Sequence, residues 1–169
     1  MSNAYSELVA RISGGEALTR DEAQSLLSTE DGQDFALIEA ASALRRQEFR
    51  NVIAIHTEDE ELAEALGTRS ISIDSYEILD IRQDIDSHEL ADRMVALGAG
   101  KSTGITVKLP QQAVPMTLMR ILSVLRLAAP DKVIHLPEGY EESLRSLASL
   151  AMHIVSAITI TDDIERWPL

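Results

Sequence analysis

From residue 52 onward, short apolar runs alternate with helical stretches, and this alternation limits the possible folds more than any other feature of the chain. Val52-Ile53-Ala54-Ile55 is a strand-type run, and an acidic helix is predicted over 58–66. Ser70-Ile71-Ser72-Ile73-Asp74 alternates polar and apolar residues, the period of a half-buried strand. Ser87 is the predicted cap of a helix reaching Leu97, where Gly98 and Gly100 stop it. A strand over 105–109 is closed by Pro110, and an apolar-rich helix over 116–127 ends before Pro130. A strand over 133–136, a helix over 140–151 and a strand over 154–160 follow, with a tail over 161–169. Strands separated by helices of roughly 10–15 residues are the mark of βαβ units and a parallel sheet. The expected fold is α/β: an open, mostly parallel sheet of about five strands. A closed eight-stranded barrel takes about 250 residues. A chain of 169 residues is therefore expected to form an open sheet or a partial TIM-barrel-like one.

Ahead of this region the chain reads as helical. A short helix over 5–12 ends at Gly14-Gly15, and Thr19-Arg20-Asp21-Glu22 is a capping box. Asp31 or Asp34 opens a third helix in which Phe35, Leu37, Ile38, Ala41 and Leu44 recur at helical spacing up to Arg45-Arg46. The expected organisation is an N-terminal helical segment, 1–50, and a barrel-like α/β part, 51–169, in one compact unit.

Charge and composition bear on function. The chain has 28 acids against 15 bases, a net charge of −13, which repels phosphate backbones and anionic lipid. Neither nucleic acid nor membrane is an expected partner. No apolar run approaches a membrane span and no basic, apolar leader opens the chain, so a cytoplasmic location is expected. There is no cysteine, which removes disulfides, thiolate metal sites and cysteine nucleophiles from these 169 residues. With Phe35, Phe49 and Trp167 the only phenylalanines and tryptophan, the core must be aliphatic.

Four histidines are the main candidates for chemistry. His56, His88, His135 and His153 show no His-x3-His or His-Glu-x-x-His spacing, so no zinc motif is present. His56 ends the first strand, and strand carboxyl ends are where α/β folds build sites. Glu58, Asp59, Glu60 and Glu61 follow it. They could hold a divalent cation with the imidazole, or simply decorate the positive end of a helix. His135 sits inside an apolar strand, where a hydrogen-bonded core histidine is the default. Residues 98–104, Gly-Ala-Gly-Lys-Ser-Thr-Gly, superficially look like a phosphate loop. They follow a helix and precede a strand, the reverse of that motif, and read as a helix end and turn.

Several segments, taken in order, resemble the biotin synthase-like radical SAM enzymes, a group that includes the [FeFe]-hydrogenase maturase of the same type. Gly15-Glu16-Ala17-Leu18-Thr19-Arg20-Asp21-Glu22-Ala23 and Phe49-Arg50-Asn51-Val52 are similar to their N-terminal helices and first strand. Residues 90–110 are similar to a helix and a glycine-rich strand ending in Leu-Pro. Residues 119–127, Pro130-Asp131 and His135-Leu136-Pro137-Glu138-Gly139-Tyr140-Glu141 resemble the biotin and thiamin synthesis associated region. The resemblance implies a barrel fold, a [4Fe–4S] cluster held by Cys-x3-Cys-x2-Cys after the first strand, and reductive cleavage of SAM. At that place this chain has His56-Thr57-Glu58-Asp59-Glu60-Glu61, then a strand similar to a much later one of the family. The resemblance further implies that Asp74 is a remnant of a carboxylate near the SAM region. It also places His135 where biotin synthase has an arginine ligand to its second cluster.

Two readings follow. In the first, the chain is a shortened radical SAM-like domain without a cluster or other cofactor, a pseudoenzyme acting as an interaction or structural subunit. Its exposed strand edges imply a homodimer or a protein partner. In the second, the pocket at the carboxyl ends of the strands survives and binds a small molecule or runs cluster-independent chemistry. Its candidate lining is His56, Asp74, Lys108, Arg126, His135 and Glu138, with no metal expected. Arg120 and Arg126 also read as arginines snorkelling at the rim of an apolar helix. A reduced barrel is expected to have its first and second strands as neighbours, under a helical N-terminal cover.

Overall fold

The computed structural model describes residues 3–28, 32–65 and 70–161. Three helices open the chain: α1 (Asn3–Ser13), α2 (Arg20–Leu27) and α3 (Asp34–Phe49). Tyr5, Val9 and Ile12 recur every three to four residues and bury one stripe of α1. The capping box forms as expected, with Glu22 N donating to Thr19 Oγ1 at 3.3 Å and Thr19 N donating to Glu22 Oε2 at 3.0 Å. In α3, Leu37, Ile38, Ala41 and Leu44 are buried, whereas Phe35 is 67% exposed and stands outside the core despite its spacing.

Strands and helices then alternate: β1 (Ala54–His56), α4 (Glu60–Ala65), β2 (Glu77–Asp80), α5 (Ser87–Ala99), β3 (Gly104–Lys108), α6 (Pro115–Ala128), β4 (Val133–Leu136), α7 (Tyr140–Leu144), α8 (Ala148–Ala151) and β5 (Ala157–Thr159). The five strands form one parallel, open sheet in the order β1-β5-β4-β3-β2. This is the α/β class that the alternation predicts. The core lies on one side of the sheet, where fully buried Leu79, Ile105, Val107, Ile134 and Leu136 join side chains from α1, α2, α3, α5 and α6.

The order corrects one expectation. β1 and β2 are not neighbours but occupy opposite edges, and β1 pairs with β5 through Ala54–Ala157, Ile55–Ile158 and His56–Thr159. In a closed βα barrel the first strand pairs with the last. Removing consecutive strands after the first would leave this same order. The connection from β1 must therefore cross the whole sheet. Residues 70–76 make the end of that crossing: Ile71 N donates to Ile55 O at 2.9 Å beside β1. At the other end, the Tyr76 ring lies against Gly104 of β3 and 6.4 Å from the His135 ring of β4. The strand expected over 70–74 is consequently irregular, because its alternating Ile71 and Ile73 serve a half-buried crossover. The strand proper is β2, a four-residue edge strand in which only Leu79 is buried.

Other boundaries also move. The cap of α5 is Asp86, whose Oδ1 accepts from His88 N at 2.7 Å and Glu89 N at 2.9 Å, rather than Ser87. Gly98 does not stop α5 but lies within it, where a Cβ would meet Ala128 O at 2.0 Å. The helix expected over 140–151 breaks at Arg145, which has φ 51° and begins a 3-10 turn, Arg145–Leu147.

The two arginines expected at the rim of α6 are instead internal. Arg120 is mostly buried and makes a two-bond pair with Asp34 of α3, Nε to Oδ1 at 2.6 Å and Nη2 to Oδ2 at 3.0 Å. Asp34→Asn removes the charge but keeps an oxygen acceptor, and the expected loss is about 2 kcal/mol in urea unfolding. Arg126 is fully buried. Its Nε donates to Ile154 O at 3.0 Å, its Nη1 to Pro130 O at 3.1 Å and Lys132 O at 2.8 Å, and its Nη2 to Ser156 Oγ at 3.0 Å. Arg45 of α3 does similar work, with bonds to Val155 O, Arg50 O and Val52 O. Together they tie the segments entering β1, β4 and β5.

Candidate functional site

In the register of the sheet, Thr106, His135, Thr159 and His56 fall on the face away from the core. His135 is fully buried there under the crossover. Its Nδ1 is 3.1 Å from Thr106 Oγ1 and its Nε2 is 2.8 Å from Thr159 Oγ1. A neutral imidazole donates from one nitrogen and accepts at the other, and a hydroxyl can take either role, so the network is satisfied without charge. Burial, and then the nearby His56, lower the His135 pKa to about 4. The His56 ring stands 6.0 Å away, edge to face, and the Tyr76 ring 6.4 Å away.

The linkage has a definite sign. The unfolded histidine takes up a proton below its ordinary value of about 6.5, while the folded one resists down to about 4. Stability contributed by His135 is therefore full above that window and is lost as pH falls through it. Between pH 7 and pH 5 the wild-type chain is expected to lose about 2 kcal/mol more than His135→Gln, as read by urea unfolding at each pH.

Above this network, an open cavity of about 780 Å³ lies at the carboxyl ends of β1, β4 and β5. His56, Glu58, Glu61, Ile73, Glu138 and Thr159 are among its lining residues. His56 Nδ1 is 2.8 Å from Ile71 O, so the ring donates there, and in the neutral ring Nε2 is then an acceptor. Most polar groups of the cavity are thus acceptors, and the chemistry complementary to them is a donor-rich cation.

Of the six residues expected at the pocket, the structure brings His56 and Glu138 to this cavity. His135 lies beneath it, linked through Thr159. Lys108 lines a separate cavity of about 150 Å³, which also includes Glu138, Gln111 and Tyr140. Burial, foremost, raises the Tyr140 phenol above its ordinary range. Asp74 is exposed and accepts from Ser72 Oγ at 3.0 Å, and it is not among the lining residues of the cavity. Arg126 is at the opposite end of the sheet, committed to the carbonyls described above.

Sequence reasoning missed Thr106, Thr159 and Tyr76. The two threonines had a signal, since each interrupts an apolar run (Ile105-Thr106-Val107, Ile158-Thr159-Ile160). Tyr76 lay beyond the expected strand and had none.

The position after β1 does not suit the cluster that the resemblance implies. Iron–sulfur clusters need thiolates, whereas this loop offers carboxylates and an imidazole already bonded to Ile71 O. No group of three or more histidine, aspartate or glutamate side chains among the described residues is arranged to hold a metal ion. Among the same residues, no helix is long and apolar enough to cross a membrane. No family model matches the chain. A stretch of 51 residues is 41% identical to a biotin synthase of Kocuria rhizophila. That match takes in 30% of this chain and 11% of the enzyme, so the likeness is to a small part of it.

Proposed function

We propose that this chain is a shortened, cluster-free relative of biotin synthase that works by binding, as an interaction or structural subunit. The observation that carries the reading is the strand order, in which β1 pairs with β5 and the sheet opens between β1 and β2. It is the order that a barrel would keep on losing strands after its first. The missing segment would include the cluster loop, and the residues now in its place lack thiolates. The partial match to a biotin synthase supports the same relationship. Loss of strands leaves edges that bind other chains more readily than they support chemistry.

The test is light scattering after size exclusion, on the chain purified from its native cells. The expected result is a stoichiometric complex or a dimer; a monomer with no co-purifying protein contradicts the reading.

The acceptor-rich cavity favours a second reading, a binding site for a small organic cation at the carboxyl ends of β1, β4 and β5. A thermal-shift series with aliphatic di- and polyamines separates the two. Stabilisation that Glu138→Gln and His56→Phe both abolish supports the second; no shift with any amine leaves the first.

A further inference from the structure

The two edges of the sheet are not equivalent. The β1 edge is partly closed by the chain itself, through Ile71 N to Ile55 O and His56 Nδ1 to Ile71 O. Among the described residues the β2 edge has no such cover. Ile81 N donates to Lys108 O, and in a parallel ladder the bonding direction alternates, so Leu79 and Ile81 serve β3. The amides of Ile78 and Asp80 therefore point off the edge. Arg93 Nη1 takes Asp80 O at 3.2 Å, which leaves Ile78 N, Ile78 O and Asp80 N on offer. The Ile78 side chain is 54% exposed beside them.

Charge selects the occupant. Asp74, Glu77, Asp80 and Asp84 are all exposed around this strand and outnumber the exposed cations Arg82 and Lys108 beside it, in a chain of net charge −13. A second copy would set Glu77 and Asp80 against the same acids, and like charges across a strand pair repel. Short length and acids also keep the edge from pairing with itself. Resting on the interaction-subunit reading above, we infer that the open edge of β2 is a docking strand for an extended segment of another protein, with lysines or arginines alternating with apolar residues. The backbone supplies the ladder bonds, apolar side chains of the segment meet Ile78 on one face, and its basic side chains meet Glu77 on the other.

The probes are two ten-residue peptides, one alternating lysine and valine, the other glutamate and valine. The readout is amide hydrogen exchange of Ile78 and Asp80 in the full chain, at low and at physiological salt. The expected result is at least tenfold slower exchange at both amides with the lysine peptide, weakened by salt, and no protection with the glutamate peptide. Ile78→Pro removes an amide that bonds nothing in the sheet, so it should keep the urea midpoint and abolish the protection. Absence of protection, equal protection by both peptides, or a homodimer that Ile78→Pro dissolves each overturns the proposal. A native complex that Ile78→Pro leaves intact also refutes the β2 site, while the interaction-subunit reading stands.

Discussion

Arg126→Met is expected to destabilise the chain by about 4 kcal/mol, the largest loss of any single substitution considered. The guanidinium is fully buried and no hydrogen-bonded carboxylate neutralises it; it is held by main-chain carbonyls and Ser156 Oγ, with the Phe49 ring 4.9 Å from its centre. Burial, and then the Arg45 charge, push its pKa down to about 9, so it stays charged at neutral pH. Methionine fills much of the volume but leaves Ile154 O, Pro130 O and Lys132 O without their donor. Each buried acceptor left unpaired costs about 1–3 kcal/mol. Arg126→Lys is expected to recover less than half, because one ammonium cannot span carbonyls arranged around a planar fork. Urea unfolding followed by circular dichroism reads both values, and a loss below about 1 kcal/mol for the methionine variant contradicts the structural role.

The second large effect is expected at Gly98. A single methyl there would sit 2.0 Å from Ala128 O and 2.9 Å from Ala128 C, both main-chain atoms of α6. No rotamer change relieves such a contact, so α5 must move away from α6. Gly98→Ala is expected to cost about 3 kcal/mol, although alanine is the better helix former by about 1 kcal/mol. Gly100 is the milder case: there the added carbon's nearest neighbour is Glu77 Oε2, the end of a flexible, exposed side chain, and the nearest main-chain atom is Leu97 O at 3.2 Å. Gly100→Ala should therefore change the urea midpoint little.

These two sites show what the sequence does and does not disclose. The βα alternation was legible because each strand is a short apolar run bounded by Gly, Pro or polar residues, and it led to the correct fold class. Strand order was not legible: periodicity reports which residues share a face, not which strand lies beside which. Residues 70–74 have a strand's alternation because Ile71 and Ile73 alternate with serines, as they must to pack one side of a loop on the sheet. Gly98 looked like a stop signal, because a glycine at a helix end and a glycine at a helix contact are the same letter. Arg126 looked like a rim residue for a similar reason. Its partners are carbonyls at 130, 132 and 154, and carbonyls carry no sequence signature. His56 and Glu138 stand at strand ends and line the cavity, while His135 lies beneath it, because an apolar strand puts its one histidine on the sheet's face rather than at its end. The expected tail, with Trp167, lies outside the described residues but for Thr161.

The proposed function requires a biotin synthase-like frame without cluster chemistry. Anaerobic reconstitution with ferrous iron and sulfide, followed by desalting, iron analysis and a SAM-cleavage assay, tests it most directly. The expected result is no retained iron–sulfur chromophore and no 5′-deoxyadenosine; about one [4Fe–4S] cluster per chain with SAM cleavage would overturn the proposal.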